Sequence, residues 1–465
     1  MAKNVILMIG DGMSVAHRTA ARIMSKGMTE GKANGLLAMD TMQYQGMIGT
    51  SSVDSIAADS ANTASAYLTG HKSSVNALGV YADRTKSSFD DPKQETLAEI
   101  IRRSTRKSIG IVSDAELQDA TPASVVAHTR RRADKPEIAD MLFAMQPEVL
   151  LGGGAAYFLP KSNPASKRAD ETDYIAKFGA AGFKVATTGE AMISAAKDNS
   201  TTKLLGLFHP ANMDGVLDRK FLKKGTVEKF PNQPDLTEMT KAALDILGRN
   251  PEGFFLMVEG ALIDKFAHPL DWERSVYDTI MFDKAVALAK AYVRKHPDTL
   301  LIVTSDHTHG VSLIGTVDDA AAGPDMRDTV GIYDKAGFPN YADRNGDGYP
   351  DNVDVTKRLA FFTSNFPDHY ETYRPKMDGP FVPAVQNEKK QYIATERYKG
   401  VPGAQFREGN LPRSAETGVH AVDDVVIFAT GAGANRVRGY MENTKVFRVM
   451  VEVLALGRAE KTASR

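Results

Sequence analysis

The chain has 465 residues, enough for one large domain with insertions or for two to three ordinary ones. Its 42% hydrophobic and 25% charged residues are those of a globular protein, and a net charge of -1 argues against a nucleic-acid or anionic-membrane surface as the main partner. No cysteine is present, which excludes disulfides, thiolate catalysis and cysteine metal sites, and no stretch approaches 18 consecutive apolar residues, so no membrane-spanning helix is expected.

In chain order, short continuous apolar runs read as strands buried on both faces: 4–10, 108–113, 148–153, 204–208, 254–260, 300–306 and 425–431. Helical periodicity lies between them, at 93–104, 239–249 and 281–295. This alternation predicts an α/β fold, a three-layer sandwich around a large, mostly parallel sheet. Between 310 and 415 the pattern breaks into Gly-, Pro-, Asp-, Tyr- and Lys-rich sequence. Residues 1–309 and 416–465 are therefore expected to form one core, and 310–415 an irregular insertion serving as lid, oligomer contact or both.

Polar residues cluster where the strands end. The first run ends in Asp11, the 254–260 run carries Glu259 with Asp264 and His268 close behind, and the 300–306 run ends in Asp306-His307. In open parallel sheets, ligands bind beyond the carboxyl ends of the strands, so groups far apart in sequence can meet there. Taken singly, Asp11 reads as a turn residue and His307 as a core histidine; three such strand ends make separate explanations poor. The chemistry that wants this set is metal-assisted phosphoryl transfer, in which cations neutralise the transferring group. His and Asp suit zinc, and all-oxygen ligands suit magnesium.

Ser60, in "DSANTASAYLTG" (59–70), opens a run of small residues with the look of a helix start. Its hydroxyl is expected either to cap that helix or to act as a nucleophile at its positive end.

The motifs "IGDGM", "DSANTASAYLTG", "AELQDATPASVVAHT", "VEGALIDKFAH" and "TSDHTHG", in this order, resemble the alkaline phosphatase family over most of the chain outside 310–415. The resemblance implies a non-specific phosphate monoester hydrolase acting through a phosphoserine at Ser60, with two zinc ions and one magnesium. It implies that Asp11, Asp306 and His307 hold the zinc beside Ser60, and that Asp264 and His268 hold the second. His420, the one histidine beyond residue 369, would complete that second zinc site, although its local sequence departs from the usual pattern. Asp11, Thr121 and Glu259 would form the magnesium site, with Asp119 at its edge. His309 would orient a ligand from outside the metal shell. Arg132, reached by counting without a gap from the "QDATPA" motif, would clamp the phosphate, with Arg131 next in line. Lys265 with Asp119 resembles the arrangement of bacterial members, touching phosphate through water. Inorganic phosphate would be the product, and the resemblance makes a homodimer possible.

Residues 343–354, "DRNGDGYPDNVD", fit a calcium-loop template with Asp343, Asn345, Asp347, Tyr349, Asp351 and Asp354 at the ligand positions. An unselective phosphatase is most useful outside the cytosol, so a periplasmic or secreted chain is expected, with the cytoplasm as the alternative. The rival functions are a phosphodiesterase on the same core and, from a different class, a calcium-dependent binding protein without catalysis. A diesterase commonly lacks the magnesium site, which Thr121 and Glu259 would supply.

Overall fold

The computed structural model describes residues 1–83, 85–321 and 330–456. Residues 322–329 of the expected insertion and 457–465 of the expected core lie outside the described residues. Ten strands form the central sheet: β1 (Asn4–Gly10), β2 (Tyr44–Gly49), β3 (Ser108–Glu116), β4 (Val149–Gly153), β5 (Lys184–Ala186), β6 (Leu204–Leu207), β7 (Phe254–Gly260), β8 (Thr299–Thr304), β9 (Val425–Gly431) and β10 (Gly439–Glu442). Their spatial order is β10-β2-β9-β8-β1-β7-β3-β4-β6-β5. Every neighbouring pair is parallel except the two that β9 makes, with β8 and with β2.

The apolar runs are buried on both faces, as a sheet covered by helices on each side requires. Along β1 the side chains alternate between two cores. Ile6 and Met8 pack with α1 (Val15–Lys26), α5 (Leu236–Leu247) and α7 (Trp272–Lys295). Val5, Leu7 and Ile9 pack with α2 (Ser60–Thr69), α3 (Leu97–Ser104), α4 (Lys135–Met145) and α8 (Thr444–Val453). The result is the expected three-layer sandwich. Each fully buried Leu, Ile or Phe in these layers contributes about 1.5–3 kcal/mol.

The sequence pattern misses β2, β5 and β10. In β2 ("YQGMIG") only Ile48 and Gly49 are buried, so the strand carries no continuous apolar run. The helix expected over 281–295 starts earlier, at Trp272, where Asp271 caps it by accepting from the Arg274 N–H.

Between 310 and 415 the strands stay out of the central sheet and form short antiparallel pairs: Val311–Asp318 with Lys357–Thr363, His369–Glu371 with Gln405–Arg407, and Ala384–Gln386 with Tyr392–Ala394. This segment packs on the existing core, since Tyr341, Tyr349, Val353, Leu359, Phe361 and Phe381 join the α1/α7 layer. Trp272 stacks on Phe361 at 6.3 Å. Where the chain leaves for this segment and returns from it, Thr308–His309 pairs with His420–Ala421. Among the described residues, no helix is long and apolar enough to cross a membrane.

Candidate active site

Parallel pairing of β1 with β7 and β8 carries their last residues to one edge: Ile9 stands opposite both Glu259 and Thr304. The chain then turns at Asp11-Gly12. Gly12 has φ +68, and a Cβ there would meet His309 Cδ2 at 2.7 Å, so the turn requires glycine. Its N–H donates to Asp306 Oδ1 at 3.1 Å, tying the loop after β1 to the loop after β8.

Ser60 is the first residue of α2, and its cap-like reading is corrected. Asp59 is the N-cap: its Oδ1 accepts from Asn62 N–H at 3.1 Å, and Asn62 Oδ1 accepts from Asp59 N–H at 2.7 Å. This reciprocal box leaves the buried Ser60 hydroxyl free of capping, with its Oγ 3.4 Å from His307 Nε2. The positive end of α2 lies directly behind it.

Among the described residues, two groups of three or more His, Asp or Glu side chains have ligand atoms within 4.8 Å of one another: Asp11, Asp306 and His307, and Asp264, His268, His309 and His420. In the first, His307 Nε2 lies 3.1 Å from Asp11 Oδ1 and 3.4 Å from Asp306 Oδ2. In the second, Asp264 Oδ1 is 2.7 Å from His309 Nε2, 3.3 Å from His268 Nε2 and 3.6 Å from His420 Nε2. His268 and His420 face each other through their Nε2 atoms at 3.1 Å, and each Nδ1 is 2.8 Å from a backbone carbonyl, of Gly418 and Ala58 respectively. An imidazole anchored in this way offers its other nitrogen inward in one tautomer. His307 and His420 stack at 3.4 Å between ring centres, joining the two groups.

The electrostatics call for cations. Burial, reinforced by the charges of Asp264 and Asp306, pushes Asp11 up to about 7. Burial and the Asp11 charge push Glu259 well above the usual carboxylate range, although Ser113 Oγ donates to it at 2.5 Å. Burial alone would depress His307, but Asp306 and Asp11 outweigh it and raise it to about 9. Burial leaves His309 well below the usual imidazole range. Asp11 Oδ1, Asp306 Oδ2, Thr121 Oγ1 and His307 Nδ1 are buried without a hydrogen-bond partner. Three of these are oxygen acceptors that native interiors rarely leave unpaired, and they suit hard or borderline cations. The donor set therefore fits metal ions.

Asp119 caps the short helix Ala120–Ala123 and binds two cations: Arg132 Nη2 at 3.0 Å and Lys265 Nζ at 2.9 Å. Despite burial, these charges hold its carboxyl far below the ordinary range and Lys265 well above its own. Arg132 Nη1 also meets Asp59 Oδ2 at 3.2 Å, so the arginine is fixed beside Ser60. Arg131 points elsewhere, largely exposed near Asp134. Thr121 is buried in the Ala120–Ala123 turn, which packs against β7, the strand that carries Glu259.

Two residues escape sequence reasoning. Asp59, given no role of its own in the 59–70 stretch, both caps α2 and braces Arg132. Asp114, buried within β3, accepts from the N–H groups of Ala261 (2.7 Å) and Leu262 (3.2 Å), the entry to α6 (Leu262–Ala267), which carries Asp264 and Lys265. Hydrophobic patterning gives no sign of it. The available signal was its position directly after the apolar run 108–113, as Asp11 follows 4–10.

The 343–354 loop stands apart from both groups. Asp343 accepts from the N–H groups of Gly346, Asp347 and Gly348, Asn345 from Asp347, Asp347 from Tyr349, and Asp351 from Arg344. The Tyr349 ring is buried and stacks on Tyr277 at 5.7 Å. Asp354 Oδ1 accepts no hydrogen bond and sits 3.6 Å from Arg358 Nη1.

A mostly parallel sheet whose carboxyl edge holds an uncapped serine hydroxyl, a braced arginine and two acid–imidazole groups has the marks of a metal-assisted hydrolase of the α/β class. The alkaline phosphatase family profile matches residues 2–456, and the chain belongs to that family, whose members hydrolyse phosphate monoesters. It is 29% identical to the alkaline phosphatase of Gadus morhua, over 98% of this chain and 92% of that protein. It is 34% identical to the streptomycin-6-phosphate phosphatase of Streptomyces griseus, over 67% of this chain and 75% of that one. The solved Thermus thermophilus alkaline phosphatase superposes with a TM-score of 0.68 at 24% identity, covering 98% and 92% of the two chains.

Proposed function

We propose that this enzyme hydrolyses phosphate monoesters through a phosphoserine formed on Ser60. The observation that carries the reading is the Ser60 hydroxyl itself: released from capping by Asp59, it stands 3.4 Å from His307 and at the positive end of α2. Asp11, Asp306 and His307 would hold one zinc, Asp264, His268 and His420 the second, and Asp11, Thr121 and Glu259 a magnesium, with Asp119 at its edge. When bound, such ions neutralise the phosphate dianion and acidify hydroxyl groups beside them.

The chain's own groups do the rest. Ser60 Oγ forms the bond to phosphorus as the ester oxygen leaves with a proton, and water then breaks the Oγ–P bond, releasing inorganic phosphate and returning a proton to Ser60. Arg132, held on two sides by Asp59 and Asp119, presents its fork to two phosphate oxygens, and its bracing lowers the ordering cost of that contact. Lys265, paired with Asp119 beside Arg132, adds positive charge on the same side and would touch the phosphate through a water. His309, hydrogen-bonded to Asp264, fixes that carboxylate. We read 310–415 as an insertion into a single domain, and place the enzyme in the periplasm or outside the cell, where hydrolysis spares internal metabolites. The presence of Thr121 and Glu259 in one neighbourhood favours monoesters over diesters.

Radiolabelled inorganic phosphate, incubated with enzyme and quenched in acid, should label the wild-type protein and leave Ser60→Ala unlabelled. Turnover of an aryl phosphate should fall by roughly 10^3-fold or more in the variant. Undiminished turnover by Ser60→Ala would show the nucleophile to be wrongly assigned.

A further inference from the structure

Beside the proposed leaving-group side of the centre lies a cavity of about 360 Å³, lined by Ser55, Ala57, Ala58, Val75 and Val419 together with Asp59, His268 and His420. Its wall is mostly apolar. Val419, which immediately precedes His420, is 45% exposed, and Ile56, between the lining residues Ser55 and Ala57, is 73% exposed. An apolar wall beside a polar reaction centre suits the carbon skeleton of a bound ester.

The charges are distributed unevenly. Arg132 and Lys265, the cations of the site, gather around Asp119, and neither lines this cavity. Of the lining residues, Asp59 is the one carboxylate, and its Oδ2 is paired with Arg132. Among the described residues, no lysine or arginine lines this cavity to receive a second phosphate or a carboxylate on the alcohol portion of a substrate. An anion held against this apolar wall would lose hydration with no cation to compensate it.

We infer that this cavity is a subsite for the alcohol portion of the ester, and that it selects phosphate monoesters of uncharged, apolar alcohols over those whose alcohol carries a further anion. The inference rests on the phosphomonoesterase reading above. It narrows an otherwise unselective enzyme by discrimination on one side of the phosphate.

The test is steady-state kinetics on wild-type, metal-replete enzyme with ethyl, butyl and hexyl phosphate, and with ω-phosphooxyhexanoate. In the last, the carboxylate is too remote to alter the acidity of the leaving alcohol. Apolar contact predicts that kcat/KM rises roughly twofold per methylene along the alkyl series, as partial burial gives. The ω-carboxylate should lower it at least about fivefold relative to hexyl phosphate. Val419→Lys, which places a cation on the wall at an exposed position, should erase most of that discrimination, read as the ratio of kcat/KM for hexyl phosphate to that for ω-phosphooxyhexanoate. A flat alkyl series with no penalty for the carboxylate, at undiminished phosphatase activity, overturns the subsite and leaves the phosphatase reading standing. Discrimination that is unchanged in Val419→Lys also overturns it. Failure to hydrolyse any of the four esters overturns the phosphatase reading itself, and the subsite with it.

Discussion

The carboxyl edge of the sheet and the 343–354 loop are both dense in carboxylates, yet most of their oxygens are used in opposite ways; of the loop's carboxylates, Asp354 Oδ1 is buried without a hydrogen bond, but it lies 3.6 Å from Arg358 Nη1. In the loop, Asp343, Asn345, Asp347 and Asp351 each accept from backbone N–H groups of the same loop, which largely satisfies them at the surface. At the sheet edge, Asp11 and Asp306 arrive from strands nearly 300 residues apart and each buries an oxygen with no hydrogen-bond donor. An acid-rich sequence is therefore a weak sign of a site. Buried acceptors without donors are a strong one, because the fold keeps them only if something else compensates.

The largest effect should follow from attacking the unpaired set. Stripping divalent metals with a chelator should abolish turnover and lower the thermal midpoint, and zinc plus magnesium should restore both. Asp306→Ala should cost roughly 10^3-fold in kcat/KM, since it removes a group proposed to act on the reacting centre. The loop double variant Asp343→Ala/Asp347→Ala should stay within about twofold of wild type. Equal losses in the two would break the contrast between these regions.

A smaller effect is expected one layer out. Asp114→Ala removes the acceptor at the entry to α6 and should weaken retention of the proposed zinc about 10- to 100-fold by competition with a chelator. Asp114→Asn, which keeps a carbonyl acceptor, should recover most of it. If both variants fail alike while folding normally, Asp114 matters for its charge and not for positioning.

Asp40 sharpens the comparison from a third side, because its oxygens are fully committed to Arg22 at 2.6 and 2.8 Å, to Arg18 at 3.0 Å and to the Leu37 N–H at 3.0 Å. Burial would raise its pKa, but these partners, Arg22 foremost, lower it from 3.8 to about 2. A depressed carboxylate stabilises the fold above its unfolded pKa, and that contribution is lost as the pH falls through about 2. Asp40→Asn should accordingly cost about 1 kcal/mol at neutral pH, discounted for solvent screening, and flatten the acid limb of a stability-versus-pH curve between about 4 and 2. An unaltered limb would show that the pair is energetically idle.

The smallest effect belongs to the loop. Millimolar calcium should raise the wild-type unfolding midpoint by about 1–3 °C and leave Asp343→Ala/Asp347→Ala unmoved, as ligand linkage requires. No shift in wild type would remove calcium from the account.

What the sequence discloses follows the same physics. β1, β7 and β8 are legible because strands buried on both faces must be continuously apolar, so an acid or histidine at their ends stands out. β2 and β10 are not, since an exposed face and a glycine dilute the signal. Ser60 was legible as a helix start, but not the one-residue shift that makes Asp59 the cap, because both residue types cap helices well. Arg132 could be reached by counting, whereas its bracing by Asp59 depends on how α2 docks against the 119–132 segment. Asp114 was hidden because its partners, Ala261 and Leu262, lie about 150 residues onward and are backbone groups that any side chain would supply.

The ladder of Thr308–His309 with His420–Ala421 has a consequence for biosynthesis. His420 and β9 are translated after every other residue proposed for the centre, and β9 is the strand that locks β8 against β2. A ribosome-bound chain released only as far as residue 415 has its serine, its arginine and most of its carboxylates, but lacks the imidazole that stacks on His307 and the strand that closes the sheet. Because the pairings that assemble the edge span most of the chain, they form late and slowly. Chains that have not yet exposed residues 420–431 should thus be catalytically silent, so activity begins only once that segment has emerged and paired.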